Sequence, residues 1–345
     1  MKSKNLITIL LIISAGIFLT INSKKDFKMI ENNYESVAND PLNTRVYTLN
    51  NGLKVYLSSY SDAPRVQTSI AVRAGSKNDP SDATGLAHYL EHMLFKGTDK
   101  FGSIDYQKEK ILLDKIEDLY EQYRAIDMSE SSQRDLVWKQ IDSVSSEAAK
   151  LCIANEYDKM LSSIGAKGTN AYTSNERTVY INDIPSNQIE TWLQIEAERF
   201  RMPVFRLFHT ELETVYEEKN RSLDDDSTRL FQELLNTLFP NHQYGQNSTI
   251  GKVAHLKHPS IKKIKDFYNK YYIPNNMAIC LVEFLYNPLL YNDPWLTPNC
   301  KLLPTGTSNL RIIFCKPERM FNVVSSITFP LLFLSSKVIV FDPSE

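Results

Sequence analysis

The sequence predicts an α+β fold, in which a mixed, mainly antiparallel sheet is layered with helices. Three segments, residues 54–57, 66–72 and 178–182, are rich in the branched and aromatic residues that favour strands. Residues 188–200 and 227–238 have the apolar spacing that indicates helices. Because neither kind of element can bury its apolar face alone, helices and sheet are expected to stack in layers.

A helical hairpin is predicted as an insertion at about residues 104–151. Apolar residues there recur at intervals of three and four in two runs, separated by a polar break at residues 129–132. This spacing puts each run on one face of a helix, and a short polar connection lets the two faces pack together. The positions are Leu112, Ile116, Leu119, Tyr123 and Ile126 in the first run and Val137, Ile141, Val144 and Ala148 in the second.

The N-terminus has the pattern of a targeting segment. Lys2 and Lys4 precede an uncharged apolar stretch at residues 6–21, which is shorter than the roughly 20 residues of a membrane-spanning helix. We interpret residues 1–23 as a signal peptide, with an uncleaved membrane anchor as the alternative, and residues 24–44 as a linker. The expected location is therefore exported: periplasmic, or anchored to a membrane through the N-terminal segment.

The charge composition does not favour a nucleic-acid partner, and the cysteine content does not determine disulfide pairing. The net charge is −2, and the basic pairs at residues 24–25 and 262–263 are isolated, so no nucleic-acid partner is expected. The four cysteines form no C-x-x-C pair, and the sequence does not determine whether any of them are joined in disulfides. They are Cys152, Cys280, Cys300 and Cys315.

The segment with the strongest chemical signal is His-Tyr-Leu-Glu-His at residues 88–92. On a helix, His88 and His92 lie on one face, where both imidazoles can reach one metal ion. Glu91 lies beside them and can act as the general base on a metal-bound water. The order is the inverted form, H-x-x-E-H, of the commoner zinc peptidase motif. Five residues alone would equally fit a surface helix with two polar histidines, but apolar residues at helical spacing in the flanks indicate a buried side.

A third metal ligand is expected from an acidic helix at residues 211–220. It has four glutamates, and spacing alone does not choose among them, nor does it exclude an ordinary solvated acidic face. Glu211 and Glu218 are seven residues apart, two turns along one face, so one could bind a metal while the other supports it. The other two are Glu213 and Glu217.

Together these residues resemble the inverzincin peptidases, the family of pitrilysin, insulin-degrading enzyme and mitochondrial processing peptidase. The match is strongest at residues 85–98, where Gly-Leu-Ala leads into the motif and Met-Leu-Phe-Lys-Gly-Thr follows it. Residues 49–56 and 71–76 resemble the opening strands of the family, and residues 169–173 resemble its substrate-side strand. The resemblance extends over roughly residues 45–281, and it implies the same α+β fold.

The resemblance also implies roles for individual residues. One zinc ion per chain would be bound by His88, His92 and Glu218, with Glu91 as general base and Glu211 as the supporting acid. An extended peptide substrate would pair with a sheet edge at Asn170 and Ala171, although Asn170 also fits an ordinary turn residue. The separation between His92 and Glu218 is longer than is common in the family, which the predicted hairpin would explain.

The resemblance implies a two-part enzyme of which this chain has one part. The family works as paired halves, and its pattern ends here near residue 281, as in a bacterial-type member truncated after its N-terminal half. We therefore assign residues 45–282 to the N-terminal catalytic domain and residues 283–345, which contain seven of the fifteen prolines, to a divergent or aberrant tail.

Two functions remain open. The chain is a zinc endopeptidase acting on peptides or small unfolded proteins, or it is a non-catalytic half that binds zinc or peptide. In either case we expect a complementary C-terminal half or second subunit as partner.

Overall fold

The computed structural model describes residues 34–58, 63–283, 300–303 and 312–315. The predicted signal peptide or membrane anchor at residues 1–23 lies outside these residues, as does most of the predicted tail at 283–345. No helix within the described ranges has both the length and the apolar character that crossing a membrane requires.

The described residues form nine strands and ten helices. The strands are β1 (Glu35–Ser36), β2 (Arg45–Thr48), β3 (Lys54–Ser58), β4 (Arg65–Val72), β5 (Lys167–Thr173), β6 (Thr178–Pro185), β7 (Met277–Glu283), β8 (Cys300–Leu303) and β9 (Ile312–Cys315). The helices are α1 (Leu86–Met93), α2 (Tyr106–Ala125), α3 (Ser131–Ala149), α4 (Glu156–Ser163), α5 (Ile189–Arg199), α6 (Phe208–Asp224), α7 (Asp226–Leu238), α8 (Gln243–Gln246), α9 (Val253–Leu256) and α10 (Ile261–Tyr271).

Seven strands form one sheet in the order β1-β2-β3-β7-β4-β6-β5. The β3–β7 pair is parallel, and the other neighbouring pairs are antiparallel. The predicted α+β class, with a mixed and mainly antiparallel sheet, is therefore correct. β7 lies between β3 and β4, although about two hundred residues separate it from them in the chain, and it unites the two parts of the sheet.

One face of the sheet is buried beneath helices. Along β4, the buried residues alternate with more exposed ones, as expected when one face packs on a core and side chains have a period of two. Val66, Ile70 and Val72 are among the buried residues. On α5, the buried Trp192 donates its indole N–H to Oδ1 of Asn182 at 2.9 Å, which joins this helix to β6. Apolar packing and one buried hydrogen bond thus hold the helical layer in place.

The predicted helical hairpin is formed by α2 and α3. Its inner face includes the predicted apolar residues Ile116, Leu119 and Ile141, all buried. Tyr120 is fully buried as well, packs edge-on against the Trp138 ring at 6.4 Å, and was absent from the predicted pattern. The hairpin therefore has an apolar interior of its own, continuous with the core of the sheet and helices.

A buried ion pair joins the hairpin to the rest of the domain. Arg206 and Glu109 are each only 1% exposed, and the guanidinium Nε lies 2.9 Å from both carboxylate oxygens. The same guanidinium donates to the carbonyl oxygens of Lys96 and Thr98. Since these two residues lie three and five positions after the end of α1, one arginine joins the hairpin to the segment that follows this helix.

The strands β8 and β9 form a separate antiparallel pair, and their register sets Cys300 opposite Cys315. Cys152 and Cys280 are free thiols.

Glu109→Gln should destabilise the protein by about 3–5 kcal/mol, because it leaves the buried Arg206 charge without its counter-ion. The midpoint and slope of urea unfolding would measure the change. Asp114→Asn is the matched control, since it removes the exposed partner of Lys110 on the same helix and should cost less than about 0.5 kcal/mol. Equal effects of the two substitutions would contradict the role given to the buried pair.

Candidate metal centre

The helix that carries the two histidines is α1, and its N-terminus is stabilised by a glycine and a buried carboxylate. Gly85 precedes it with φ of 87°, in the left-handed region that favours glycine. The buried Asp79 carboxylate accepts hydrogen bonds from the N–H groups of Gly85 at 2.7 Å and Ala87 at 2.9 Å. These bonds satisfy donors that have no partner within the helix. The start of α1 is thus fixed by one carboxylate from an upstream turn.

A later segment of the chain packs against this same N-terminus. A Cβ atom added at Gly85 would lie 2.7 Å from the carbonyl oxygen of Ile250 and 2.9 Å from Cα of Gly251, so the two backbones are in close contact. The Thr84 hydroxyl lies 2.8 Å from Nδ1 of His255 and accepts a hydrogen bond from the Lys252 N–H at 3.0 Å. The position of α1 therefore depends on residues more than a hundred positions downstream.

The acidic helix, α6, is held beside α1 by buried polar contacts. The hydroxyl of Tyr89 on α1 donates to the carbonyl oxygen of Phe208, the first residue of α6, and the two rings lie 4.7 Å apart. From the hairpin, the Tyr120 hydroxyl lies 2.8 Å from Nδ1 of the buried His209. The N-terminal turn of α6 is thus fixed on two sides.

Three metal-binding atoms meet between the two helices. The ligand atoms of His88, His92 and Glu218 all lie within 4.8 Å of one another. The Nε2 atoms of the two histidines are 3.3 Å apart. Oε2 of Glu218 lies 3.7 Å from Nε2 of His88 and 3.6 Å from Nε2 of His92. The structure therefore brings together the two motif histidines and, of the four candidate glutamates, Glu218.

This geometry fits a zinc ion. Two imidazole nitrogens on one tetrahedral zinc lie about 3.3 Å apart, since each Zn–N bond is about 2.05 Å. Burial, and next the charge of His92, lower the pKa of His88 to about 3, so its ring is neutral at physiological pH and one ring nitrogen has a lone pair for a metal. Nδ1 of His88 is buried without a hydrogen-bond partner among the described residues, so a bond at Nε2 would be what orients this ring.

Glu211 lies beside the cluster and contacts one of its histidines. Its Oε2 lies 3.3 Å from Nδ1 of His92, and its Oε1 lies 2.5 Å from Nζ of Lys96. Burial raises the pKa of Glu211, but the hydrogen bonds from His92 and Lys96 lower it by more, so the carboxylate is charged. A carboxylate that accepts the Nδ1–H of His92 leaves Nε2 of the ring free for a metal.

Glu91 is buried and lies on the same helix as the two histidines. Burial raises its pKa to about 7, against the opposing effects of a hydrogen bond from Thr173 and the charge of His92. The Thr173 hydroxyl donates to Oε2 of Glu91 at 2.5 Å. A carboxyl group whose pKa lies near neutrality can both accept and release a proton at physiological pH.

The predicted substrate residues, Asn170 and Ala171, lie in β5. This strand pairs only with β6 within the described sheet, so it is one of the two edge strands. Asn170 is therefore a strand residue, which removes the alternative of a turn. Gly168 lies beside a break in register between Lys167 and Asn170. The other side of β5 offers main-chain groups to which an extended peptide could pair.

Three residues of the site were not found from the sequence. Asp79 fixes the start of α1, Lys96 neutralises Glu211, and Thr173 contacts Glu91. Lys96 and Thr173 lie within the segments that resemble the family, yet nothing in those segments gives them a role. Asp79 has no signal at all, because its partners are defined by a turn that only the folded chain shows.

A short helix that presents an inverted His-x-x-Glu-His motif to a glutamate of a second helix, beside a mainly antiparallel sheet, defines the class of the inverted zinc peptidases. Within that class, the chain belongs to the insulinase family, peptidase family M16, whose model matches residues 54–111 and 142–251. The unmatched residues 112–141 lie within α2, α3 and their connection.

Individual relatives agree with this assignment. The chain is 28% identical to human insulin-degrading enzyme over 263 residues, which is 74% of this chain and 21% of that enzyme. It is 26% identical over 273 residues to a putative zinc protease of Caenorhabditis elegans, covering 76% of this chain and 26% of that protein. The chain thus spans about a fifth to a quarter of the length of these relatives.

The fold is also that of pitrilysin, whose crystal structure matches with a TM-score of 0.51 at 22% identity. The match covers 76% of this chain and 23% of pitrilysin.

Gly85→Ala should destabilise the protein by more than Gly168→Ala, as measured by thermal unfolding. Both glycines have positive φ, so alanine at either position costs about 1–2 kcal/mol of backbone strain. Only at Gly85 does the added Cβ also clash, because nothing lies within 4 Å of the corresponding Cβ at Gly168. Equal losses would show that the contact between Gly85 and Gly251 does not fix the start of α1.

Proposed function

We propose that this chain is the zinc-binding half of an endopeptidase that hydrolyses peptide bonds in peptides or small unfolded proteins. The observation that supports this most directly is the convergence of His88, His92 and Glu218, with Glu91 beside them. Membership of a peptidase family supports the reaction type. The proposed cofactor is one zinc ion per chain.

The ligands in this proposal are Nε2 of His88, Nε2 of His92 and a carboxylate oxygen of Glu218. Bound there, zinc would polarise the scissile carbonyl and lower the pKa of a water molecule to about 7. Three protein ligands are the number found in catalytic zinc sites, which keep a further position for water or substrate. Glu211 orients His92 and holds Lys96 near the cluster.

Glu91 is the proposed general base and general acid. Its carboxylate takes a proton from the attacking water and then delivers a proton to the nitrogen of the leaving amine. Glu91 is buried on the same helix as His88 and His92, which places its carboxyl group next to the proposed ligands. Substrate would lie along β5, with its main chain pairing to Asn170 and Ala171.

A second candidate is a half that binds zinc or peptide and has no activity alone. The likeness to human insulin-degrading enzyme concerns 21% of that enzyme, so it supports the zinc site and the reaction type without extending to activity of this chain alone. In this case a complementary half or second subunit would supply further contacts to the substrate. For either candidate we propose an exported location, periplasmic or membrane-anchored through residues 1–23, since that segment has the sequence of a targeting signal.

Glu218→Gln should greatly reduce zinc affinity, because an amide oxygen is a much poorer zinc ligand than a carboxylate. We expect about one zinc per wild-type chain by atomic emission spectrometry. The variant should lose more zinc affinity than the about 10–100-fold that is typical when a hydrogen-bond partner of a zinc ligand is removed. The matched control is Glu213→Gln, an exposed glutamate on the same helix, which should keep the wild-type zinc content. Unchanged zinc in Glu218→Gln would refute the ligand assignment.

Glu91→Gln should keep its zinc and lose turnover by at least about 100-fold, since the amide cannot take the proton from water. Hydrolysis of a quenched fluorescent peptide by the full chain would measure this. Turnover retained in the variant would contradict the general-base role. A wild-type chain that binds zinc but hydrolyses no peptide would instead favour the second candidate.

A further inference from the structure

A single threonine at the end of the edge strand contacts the proposed base. The Thr173 side chain is 3% exposed, and its hydroxyl lies 2.5 Å from Oε2 of Glu91. Among the described residues, no other group donates a hydrogen bond to the Glu91 carboxylate. We propose that Thr173 is a positioning residue that turns Oε2 toward the sheet and leaves Oε1 as the oxygen that takes and gives the proton. This inference rests on the proposed role of Glu91.

The Thr173 hydroxyl is the donor in this hydrogen bond while Glu91 is ionised. A threonine hydroxyl has one proton to donate, and an ionised carboxylate can only accept. The neighbouring hydroxyl of Thr178 donates to the carbonyl oxygen of Ala74 at 3.0 Å, and it lies 3.4 Å from the Thr173 hydroxyl. Glu91 is therefore the nearer acceptor for the one proton that Thr173 has, while the proton of Thr178 is used elsewhere.

The consequence for Glu91 concerns which oxygen reacts. The Thr173 hydroxyl lies 2.5 Å from Oε2, so this oxygen is directed toward the end of β5. Oε1 is then the carboxylate oxygen that has no hydrogen-bond partner among the described residues, and it is the oxygen left for the attacking water. Because a glutamate side chain has several rotatable bonds, one short charge-assisted hydrogen bond selects one orientation among many.

The strand that carries Thr173, β5, is also the proposed binding edge for the substrate. Thr173 is the last residue of β5, and Ala171, two residues earlier, has the same side-chain direction because successive side chains alternate. A peptide that paired with β5 near Asn170 and Ala171 would lie along the strand that orients Glu91. The strand therefore sets the distance from the bound main chain to the base.

The test compares three substitutions in the full-length chain. Thr173→Val keeps the branched shape and removes the hydroxyl, whereas Thr173→Ser keeps the hydroxyl. Thr178→Val is the matched control, because it removes another buried hydroxyl nearby that does not contact Glu91. If the valine variant at 173 fails to fold, Thr173→Ala removes the same hydroxyl.

Thr173→Val should lower kcat by at least about 10-fold and leave KM within about twofold. The loss should not exceed the contribution of the general base itself, which is about 10²–10⁴-fold. Thr173→Ser should recover kcat to within about threefold of wild type, and Thr178→Val should behave like wild type. An equal loss in Thr173→Val and Thr178→Val, or a loss confined to KM, would overturn the proposal.

A second readout does not depend on turnover. In crystals of Thr173→Val, the Glu91 carboxylate should leave its wild-type place or adopt more than one rotamer, with the zinc content unchanged. A Glu91 side chain that stays in place refutes the positioning role, whether or not the chain is active. A wild-type chain without zinc or activity would refute the proposed function instead, and the crystal comparison would still decide the role of Thr173.

Discussion

The site depends on the contact between two helices, α1 and α6, that are far apart in the chain. Three ligand atoms lie within 4.8 Å of one another only because these helices have a fixed separation and rotation. The buried contact of Tyr89 with Phe208 joins the two helices, and Glu211 of α6 lies between His92 and Lys96. A half-turn of α6 would direct Glu218 away from the histidines, since residues on opposite helix faces point in opposite directions.

The electrostatics of the cluster favour a cation. Glu91, Glu211 and Glu218 surround two imidazoles, and Lys96 is already paired with Glu211. Burial raises the pKa of Glu91 to about 7 and lowers that of His88 to about 3, which are the directions expected when charge is removed from water. A divalent ion at the Nε2 atoms would supply positive charge without requiring either histidine to be protonated.

Local pattern predicted most of the fold and part of the site. The hairpin, α1 and the central strands have strong periodicity, so their existence and type were predicted. The sequence placed Glu218 in an acidic helix but could not choose it, because four glutamates share a few turns and the choice depends on helix rotation. Asp79 and Thr173 were missed for a related reason: each acts on a partner brought close by folding, and neither leaves a repeating signal. The family resemblance supplied the choice of Glu218 that spacing did not.

The position of β7 has a consequence for how the chain is made. This strand, Met277–Glu283, lies between β3 and β4, whose own residues are synthesised more than two hundred positions earlier. Until β7 emerges from the ribosome, β3 and β4 both have open edges that can pair with other chains. A nascent chain, or a proteolytic fragment that ends before Met277, would have all the residues of the metal site and an unfinished sheet beneath them. Such species should need protection from aggregation, since late, long-range strand pairing is slow.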